Sequence, residues 1–347
     1  MIRTRVVDDL AEGRRIWEEL FPRAHLTDLW EVRACFQEHY RRPLHFVLAE
    51  EDGVLAGFLP LCWIEERQGY AYFPGELWAG HTWLEQNRVI VRHPDVLRAM
   101  LEACPGWHHV RYLLPCDPPV PGAVVDEINY QFHPPEYDYD MERYFARFSH
   151  RTAKRLRREV AGLRERLAMR MSGPESDFAV NEGAFDAMVT LNRDRFGERS
   201  YFADDRFTEG FRSLVRLAHE RSWVRFTSIL DADKPVAVDF GCVYDDAYTM
   251  LGGGTHAEYP GVAKLINLQH MEVACCERFS SVDFLCGDFA WKTLFHLTPR
   301  PFFVITNEAP PAGDADQAPR GGLADEAPAS SPAPDAPPHP ESSDHER

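Results

Sequence analysis

Between Trp223 and Gly254 the chain alternates apolar and polar residues with period two in three runs, WVRFTSILD, PVAVDFGCVY and AYTMLGGG. Only Ala232–Lys234 and Asp245–Asp246 separate them. Period two puts successive side chains on opposite faces of an extended strand, and polar connections this short leave room only for antiparallel neighbours. The segment is therefore a three-stranded meander. Helical spacing precedes it, from about Glu182 to Phe196 and from Phe207 to Glu220. After it come a helix in YPGVAKLINLQHMEVACCERF, a short buried strand in SVDFLCG and a final strand in PRPFFVIT. This order predicts an α/β unit, a twisted mixed sheet with helices on its faces.

The unit opens with MERYFARFSHRTAKRLRREVAGLRERL, in which Tyr144, Phe145, Phe148, Leu156, Val160, Leu163 and Leu167 form an apolar stripe at spacings of three and four. One helix is predicted there. Upstream lies a shorter version of the same order: helices at Leu10–Leu20 and Leu29–His39, a hairpin turning at Glu51, Asp52 and Gly53, and strands in GYAYFPG and HVRYLLP. The proline-rich stretch from CDPPVPGAV to QFHPPEYDYD reads as irregular. It sets a boundary between a first domain, 1–136, and a second, 137–306. From Asn307 the composition changes to Pro, Ala, Gly, Ser and acids, so 307–347 is expected to be disordered.

Across 347 residues, 38 Lys and Arg face 55 Asp and Glu, a net charge of −17. The tail holds nine of the carboxylates and two arginines, which leaves the folded body near −10. Such acidity argues against a general nucleic-acid binder. No secretory signal opens the sequence and no stretch reaches the roughly 18 apolar residues of a membrane span, so a cytoplasmic protein is expected. The eight cysteines show neither C-x-x-C nor zinc-type spacing and read as reduced thiols, with no metal site.

Four places carry candidate chemistry. Asp239 lies mid-strand beside Ala237 and Gly241, and a carboxylate there needs an ion pair, a wet groove or a raised pKa that makes it a general base. The run LGGGTHAEYPGVAKL ends a strand in Gly253, Gly254 and Thr255 and opens a helix at Tyr259, Gly261, Val262 and Ala263. Helix N-termini bind phosphate through unpaired N–H groups, yet a glycine loop between strand and helix is also an ordinary connection; both readings stand on these residues. VDFLCGDFAWKTLF sets Asp283, Asp288 and Lys292 among aromatic residues. There the lysine either snorkels to water or offers a fixed charge to a phosphate, a carboxylate or an oxyanion. Arg151, Lys154, Arg155, Arg157, Arg158, Arg164 and Arg166 crowd one helix, as a solvated face or as a seat for an anionic substrate.

Taken together, Asp138 to about Pro301 resembles the Gcn5-related N-acetyltransferase (GNAT) superfamily, and within it the FemAB-like and exopolysaccharide-associated acyltransferases. The basic helix, the meander, the loop into YPGVAKLINLQHMEVA and, most specifically, DFLCGDFAWKTLF, with its Asp-Phe-x-x-Gly-x-x-x-x-Lys pattern, carry the resemblance. It implies two tandem GNAT-like domains, each a twisted, mostly antiparallel mixed sheet flanked by helices. It also implies acyl transfer, with acetyl-CoA or another acyl-CoA as donor and an amine or hydroxyl of a small molecule, sugar or peptide as acceptor. The donor would enter where AYTMLGGG splays from its neighbour, bound by Gly253, Gly254, Thr255, Tyr259, Gly261, Val262 and Ala263. Asp239 would accept the acceptor's proton, Lys292 would stabilise the oxyanion, and Arg151, Arg155, Asp283 and Asp288 would contact substrate. The segment Glu258–Ala263 lacks the basic residue that leads the family's phosphate loop. This prompts an alternative, an aminoacyl-tRNA donor; a binding or scaffold protein on a decayed fold is the third.

Overall fold

The computed structural model describes residues 1–78, 81–116, 119–287 and 290–307. One order of elements occurs twice. The first half runs β1 (Ile2–Val7), α1 (Leu10–Leu20), α2 (Trp30–Tyr40), β2 (Leu44–Glu51), β3 (Val54–Ile64), β4 (Gly69–Tyr72), α3 (Pro94–Glu102) and β5 (Trp107–Leu113). Then come β6 (Val124–Phe132), α4 (Met141–Phe145) and α5 (His150–Arg164). The second half repeats the series as β7 (Ala168–Ser172), α6 (Phe178–Phe196), α7 (Asp205–Glu220), β8 (Val224–Asp231), β9 (Lys234–Tyr244), β10 (Ala247–Thr255), α8 (Val262–Cys276) and β11 (Ser281–Cys286). It ends with α9 (Ala290–Leu294) and β12 (Thr298–Thr306).

These twelve strands join one sheet in the order β1-β2-β3-β4-β5-β12-β6-β11-β10-β9-β8-β7, and the short strand Ile90–Val91 pairs with β3 off this path as a thirteenth. Two neighbouring pairs are parallel, β4 with β5 and β10 with β11, and each shares three rungs. The middle of the sheet is an exchange. β6 follows the first half in sequence but pairs with β11 of the second, and β12 follows the second half but pairs with β5 of the first. β6 and β12 then pair with each other. Neither half covers its own inner sheet edge.

The predicted mixed sheet with flanking helices and the meander are both present. Three local expectations change. Val124–Phe132 is a strand within the stretch read as irregular, because the prolines lie outside it, from Pro115 to Pro121 and at Pro134 and Pro135. The long helix from Met141 is two, because Ser149 caps α5 by accepting the N–H of Thr152 at 3.1 Å. The edge strands β1 and β7, too short and polar to show a period, went unpredicted. The boundary expected at 136/137 falls between β6 and α4, and the tail from 308 lies outside the described residues. Among the described residues no helix is long and apolar enough to cross a membrane.

Aromatic packing ties the halves together on one face, where Phe36 of α2 meets Phe207 and Phe211 of α7 with ring centroids 5.8 and 5.4 Å apart. The last glycine of β10 has a packing cause. A Cβ on Gly254 would stand 2.5 Å from the carbonyl oxygen of Met188 and 2.9 Å from the Cβ of Leu191, both on α6. Backbone that close cannot rotate away. Gly254→Ala should therefore lower stability by about 1–3 kcal/mol. Gly162→Ala, where a Cβ meets nothing within 4 Å, should raise it by about 0.4–1 kcal/mol. Thermal unfolding of the two variants checks the contrast.

Candidate functional site

Each parallel pair parts after its third rung, so each half contains a wedge. In the first half the strands separate beyond Ala71↔His109, and the chain's own segment 84–88 fills the gap. Asn87 donates its N–H to the Tyr112 carbonyl at 2.8 Å, and its carbonyl accepts from Leu114 at 2.9 Å. Arg33, fully buried, fixes this strap by donating to the carbonyls of Thr27 and Phe73 and to Asn87 Oδ1, each at 2.7 Å. The first wedge is closed.

In the second half, β10 and β11 separate beyond Thr249↔Asp283, while β10 continues to Thr255. A bulge opposite Phe240 and Gly241 gives β10 one extra residue. Past it, the main chain of Gly253 meets a phenol: its N–H donates to Tyr201 Oη at 3.0 Å, and Tyr201 Oη donates back to its carbonyl at 2.8 Å. Asn192 adds a donor to the same carbonyl at 2.9 Å. Trp83, two residues before Glu85 on the strap, packs against Tyr201 with centroids 4.8 Å apart.

A buried polar cluster occupies the other wall. Asp283 accepts from Asn129 Nδ2 at 2.7 Å, from Gln131 Nε2 at 3.3 Å, from the Leu285 N–H at 2.8 Å and from Gln86 Nε2. Glu85 accepts the Cys286 N–H on both oxygens, at 2.9 and 3.0 Å. Lys292, 1 % exposed, donates to the carbonyls of Leu285 and Cys286 at 2.8 and 2.9 Å. Burial pushes its pKa down to about 8, opposed by the charges of Glu85, Cys286, Asp283 and Glu127. The lysine points inward instead of snorkelling, at the end of β11 just past the last shared rung.

The other predicted residues lie apart from it. Asp239 is fully buried, accepts from His270 Nε2 at 2.9 Å, and has its pKa raised by burial against the lowering effect of that histidine. Its small neighbours do not open a groove: a Cβ on Gly241 would sit 2.5 Å from Tyr248 Oη, so the tyrosine fills that space. Asp239 and Lys292 thus stand in different surroundings. Gly253 and Gly254 are buried, and buried Thr255 accepts from Arg195 at 2.5 Å. Gly261, with φ 80°, opens α8, while Tyr259 donates to Asp231 at 2.7 Å. Arg151 and Arg155 are exposed on α5, Arg155 3.9 Å from Glu159. Beside the first turn of that helix a groove of about 640 Å³ is lined by Arg147, Ser149, Thr152, Thr293 and His296. A larger one, about 700 Å³, lies between α2 and α7, away from all of these residues. Asp288 lies outside the described residues.

Sequence reasoning missed Glu85, Gln86, Asn129, Gln131 and Tyr201. The usable signal was the polar run Glu85-Gln86-Asn87-Arg88 inside the otherwise apolar WLEQNRVIV.

Residues 138–293 match the family model described as an acetyltransferase (GNAT) domain. The chain matches no curated protein. Among solved structures it is similar to the C-terminal domain of a protein described as a lysylphosphatidylglycerol synthetase from Agrobacterium fabrum. The TM-score is 0.55 at 12% identity, covering 90% of this chain and 98% of that one. FemX gives a TM-score of 0.51 at 10% identity, covering 86% and 96%. L-PGS from Bacillus licheniformis gives 0.50 at 8%, covering 89% and 95%. At these identities the likeness is one of fold, and the whole doubled sheet shares it. Residues 138–293 are thus a GNAT-type acetyltransferase domain by their family model, set in a doubled sheet whose fold the chain shares with FemX.

Proposed function

We propose that the chain transfers an acyl group from acetyl-CoA or another acyl-CoA to an amine or hydroxyl of a small molecule, sugar or peptide. The observation that carries this reading is the parting of β10 from β11 beyond Thr249↔Asp283, with Lys292 buried against the carbonyls immediately past it. The acceptor's nitrogen or oxygen attacks the thioester carbonyl carbon, forming a C–N or C–O bond and a tetrahedral oxyanion. Lys292 is the ammonium proposed to stabilise that charge, in a water-poor setting where it is worth most. Collapse breaks the C–S bond, and the proton given up by the acceptor leaves with the thiol.

The donor's residues follow from the wedge. Once the Tyr201 hydroxyl moves aside, Gly253 offers an amide a donor and an acceptor. Tyr259, Gly261, Val262 and Ala263 at the open end of α8 are the proposed phosphate contacts, through the helix dipole and the first-turn donors, although the N–H groups of Tyr259 and Val262 already donate to the carbonyls of His256 and Tyr259. Arg151 and Arg155 remain the proposed contacts for an anionic part of either substrate. For Asp239 we propose a holding part, tying β9 to α8 through His270.

The exposed cations Arg151, Lys154, Arg155 and Arg158 favour a second reading, in which the donor is an aminoacyl-tRNA. The phenol over Gly253 points the same way, since it covers the edge a thioester's amides would use. Charge reversal at Arg155 and Arg158 should then abolish a tRNA binding that weakens steeply with salt.

Thiol release from acyl-CoA with candidate amines tests the first reading. Lys292→Met should lower it by about 10²–10³-fold with circular dichroism unchanged, and Asp239→Asn should keep most of it. The rate should fall as pH rises through about 8, because the stabilising form of Lys292 is the protonated one. No release with any donor, together with no thermal shift on adding coenzyme A, sinks the thioester reading.

A further inference from the structure

Glu85 and Lys292 grip the same residue from opposite ends. Glu85 takes the N–H of Cys286 on both carboxylate oxygens, and Lys292 donates to the carbonyl of Cys286 and to that of Leu285 before it. Successive carbonyls of an extended strand point to opposite sides, so one ammonium reaches both only where the strand is bent. The bend is at Leu285, whose φ is 62°. A bulky side chain rarely adopts that left-handed conformation, and it persists where surrounding contacts hold it. Here Asp283 Oδ1 holds the Leu285 N–H at 2.8 Å and Glu85 holds the next one. Glu85 comes from the first half, 201 residues earlier in sequence.

We propose that Glu85 is a positioning residue for Lys292, keeping the ammonium charge at the end of β11 and, through the Cys286 peptide, keeping it in place. The site of the second half is then composite, completed by the strap of the first. This rests on the reading that Lys292 serves acyl transfer. The groups facing Lys292 are Glu85 on the strap, Asp283 and Cys286 on β11, and Glu127 and Tyr130 on β6, the Tyr130 ring 5.3 Å away. Among the charges that oppose the effect of burial, that of Glu85 is the largest.

The chain has four lysines, Lys154, Lys234, Lys264 and Lys292, and Lys292 alone is buried. Carbon-13 NMR of the lysine-labelled full chain therefore reads its titration directly, the signal being assigned by its loss in Lys292→Met. The expected midpoint is about 8 in the wild type and lower by about one pH unit or more in Glu85→Gln. A merely structural glutamate would lower the melting temperature and leave the midpoint where it is, which overturns the proposal. If Glu85→Gln does not fold, Glu85→Asp carries the test. It withdraws the charge by one methylene, and the midpoint must move down by a smaller amount; no movement overturns the proposal. An inactive Lys292→Met with an unmoved midpoint defeats this inference and spares the acyl-transfer reading. A moved midpoint with full transfer by Lys292→Met does the reverse.

Discussion

The structure turns on one buried carboxylate. Asp283 is removed from water, and four donors from three separate parts of the chain compensate it: the strap through Gln86, β6 through Asn129 and Gln131, and β11 through Leu285. An ionised carboxylate left unpaired there would cost several kcal/mol, so these segments are obliged to meet. Their meeting aligns the exchanged strands, bends β11 and brings Lys292 to the end of it. Electrostatics, and not apolar contact, decides the geometry of this wall, to which both halves contribute.

The two wedges show how a repeated architecture can diverge without changing register. Both parallel pairs share three rungs and then part. In the first half the space is filled by main chain, with Asn87 bridging to the strand beyond and Arg33 locking it from behind. In the second half side chains take that part on the other strand of the pair: the Tyr201 phenol, with Asn192 beside it and Trp83 packed against it, holds the main chain of Gly253 on β10. A side chain can rotate out of a gap more readily than a bonded backbone segment can leave it. The first wedge is thus sealed by the chain itself, and its strap delivers Glu85 to the second half.

Much of the fold was legible because its signals are local. The start of α1 at Leu10, the turns at Asp52 and Asp245, and the alternation of the meander are each decided by neighbouring residues. The strand exchange was not, since nothing within Val124–Phe132 or Thr298–Thr306 says which half supplies its partner. The same distinction runs through the site. Lys292 was marked by the Asp-Phe-x-x-Gly-x-x-x-x-Lys pattern that carries the family resemblance, whereas Glu85 is distant in sequence and belongs to the other half. Asp239 illustrates the opposite error. Small neighbours implied open space, but Tyr248, from the adjacent strand, fills it. Gly254 of β10 likewise reflects the approach of α6, a cause that lies some sixty residues away, while a Cβ on Gly253 would meet Asp239 of the adjacent strand.

The exchange also sets an order of assembly. Thr306 of β12 donates its hydroxyl to the His108 carbonyl of β5, 198 residues earlier. Until β12 is made, the first half carries an open sheet edge, and unpaired edges are templates for pairing with other chains. Pairing across so long a separation is slow, because loop closure is entropically costly before contacts compensate it. A ribosome-bound first half is therefore exposed to mispairing throughout synthesis of the second. The half whose wedge is sealed by its own main chain is the one that must wait longest to be completed.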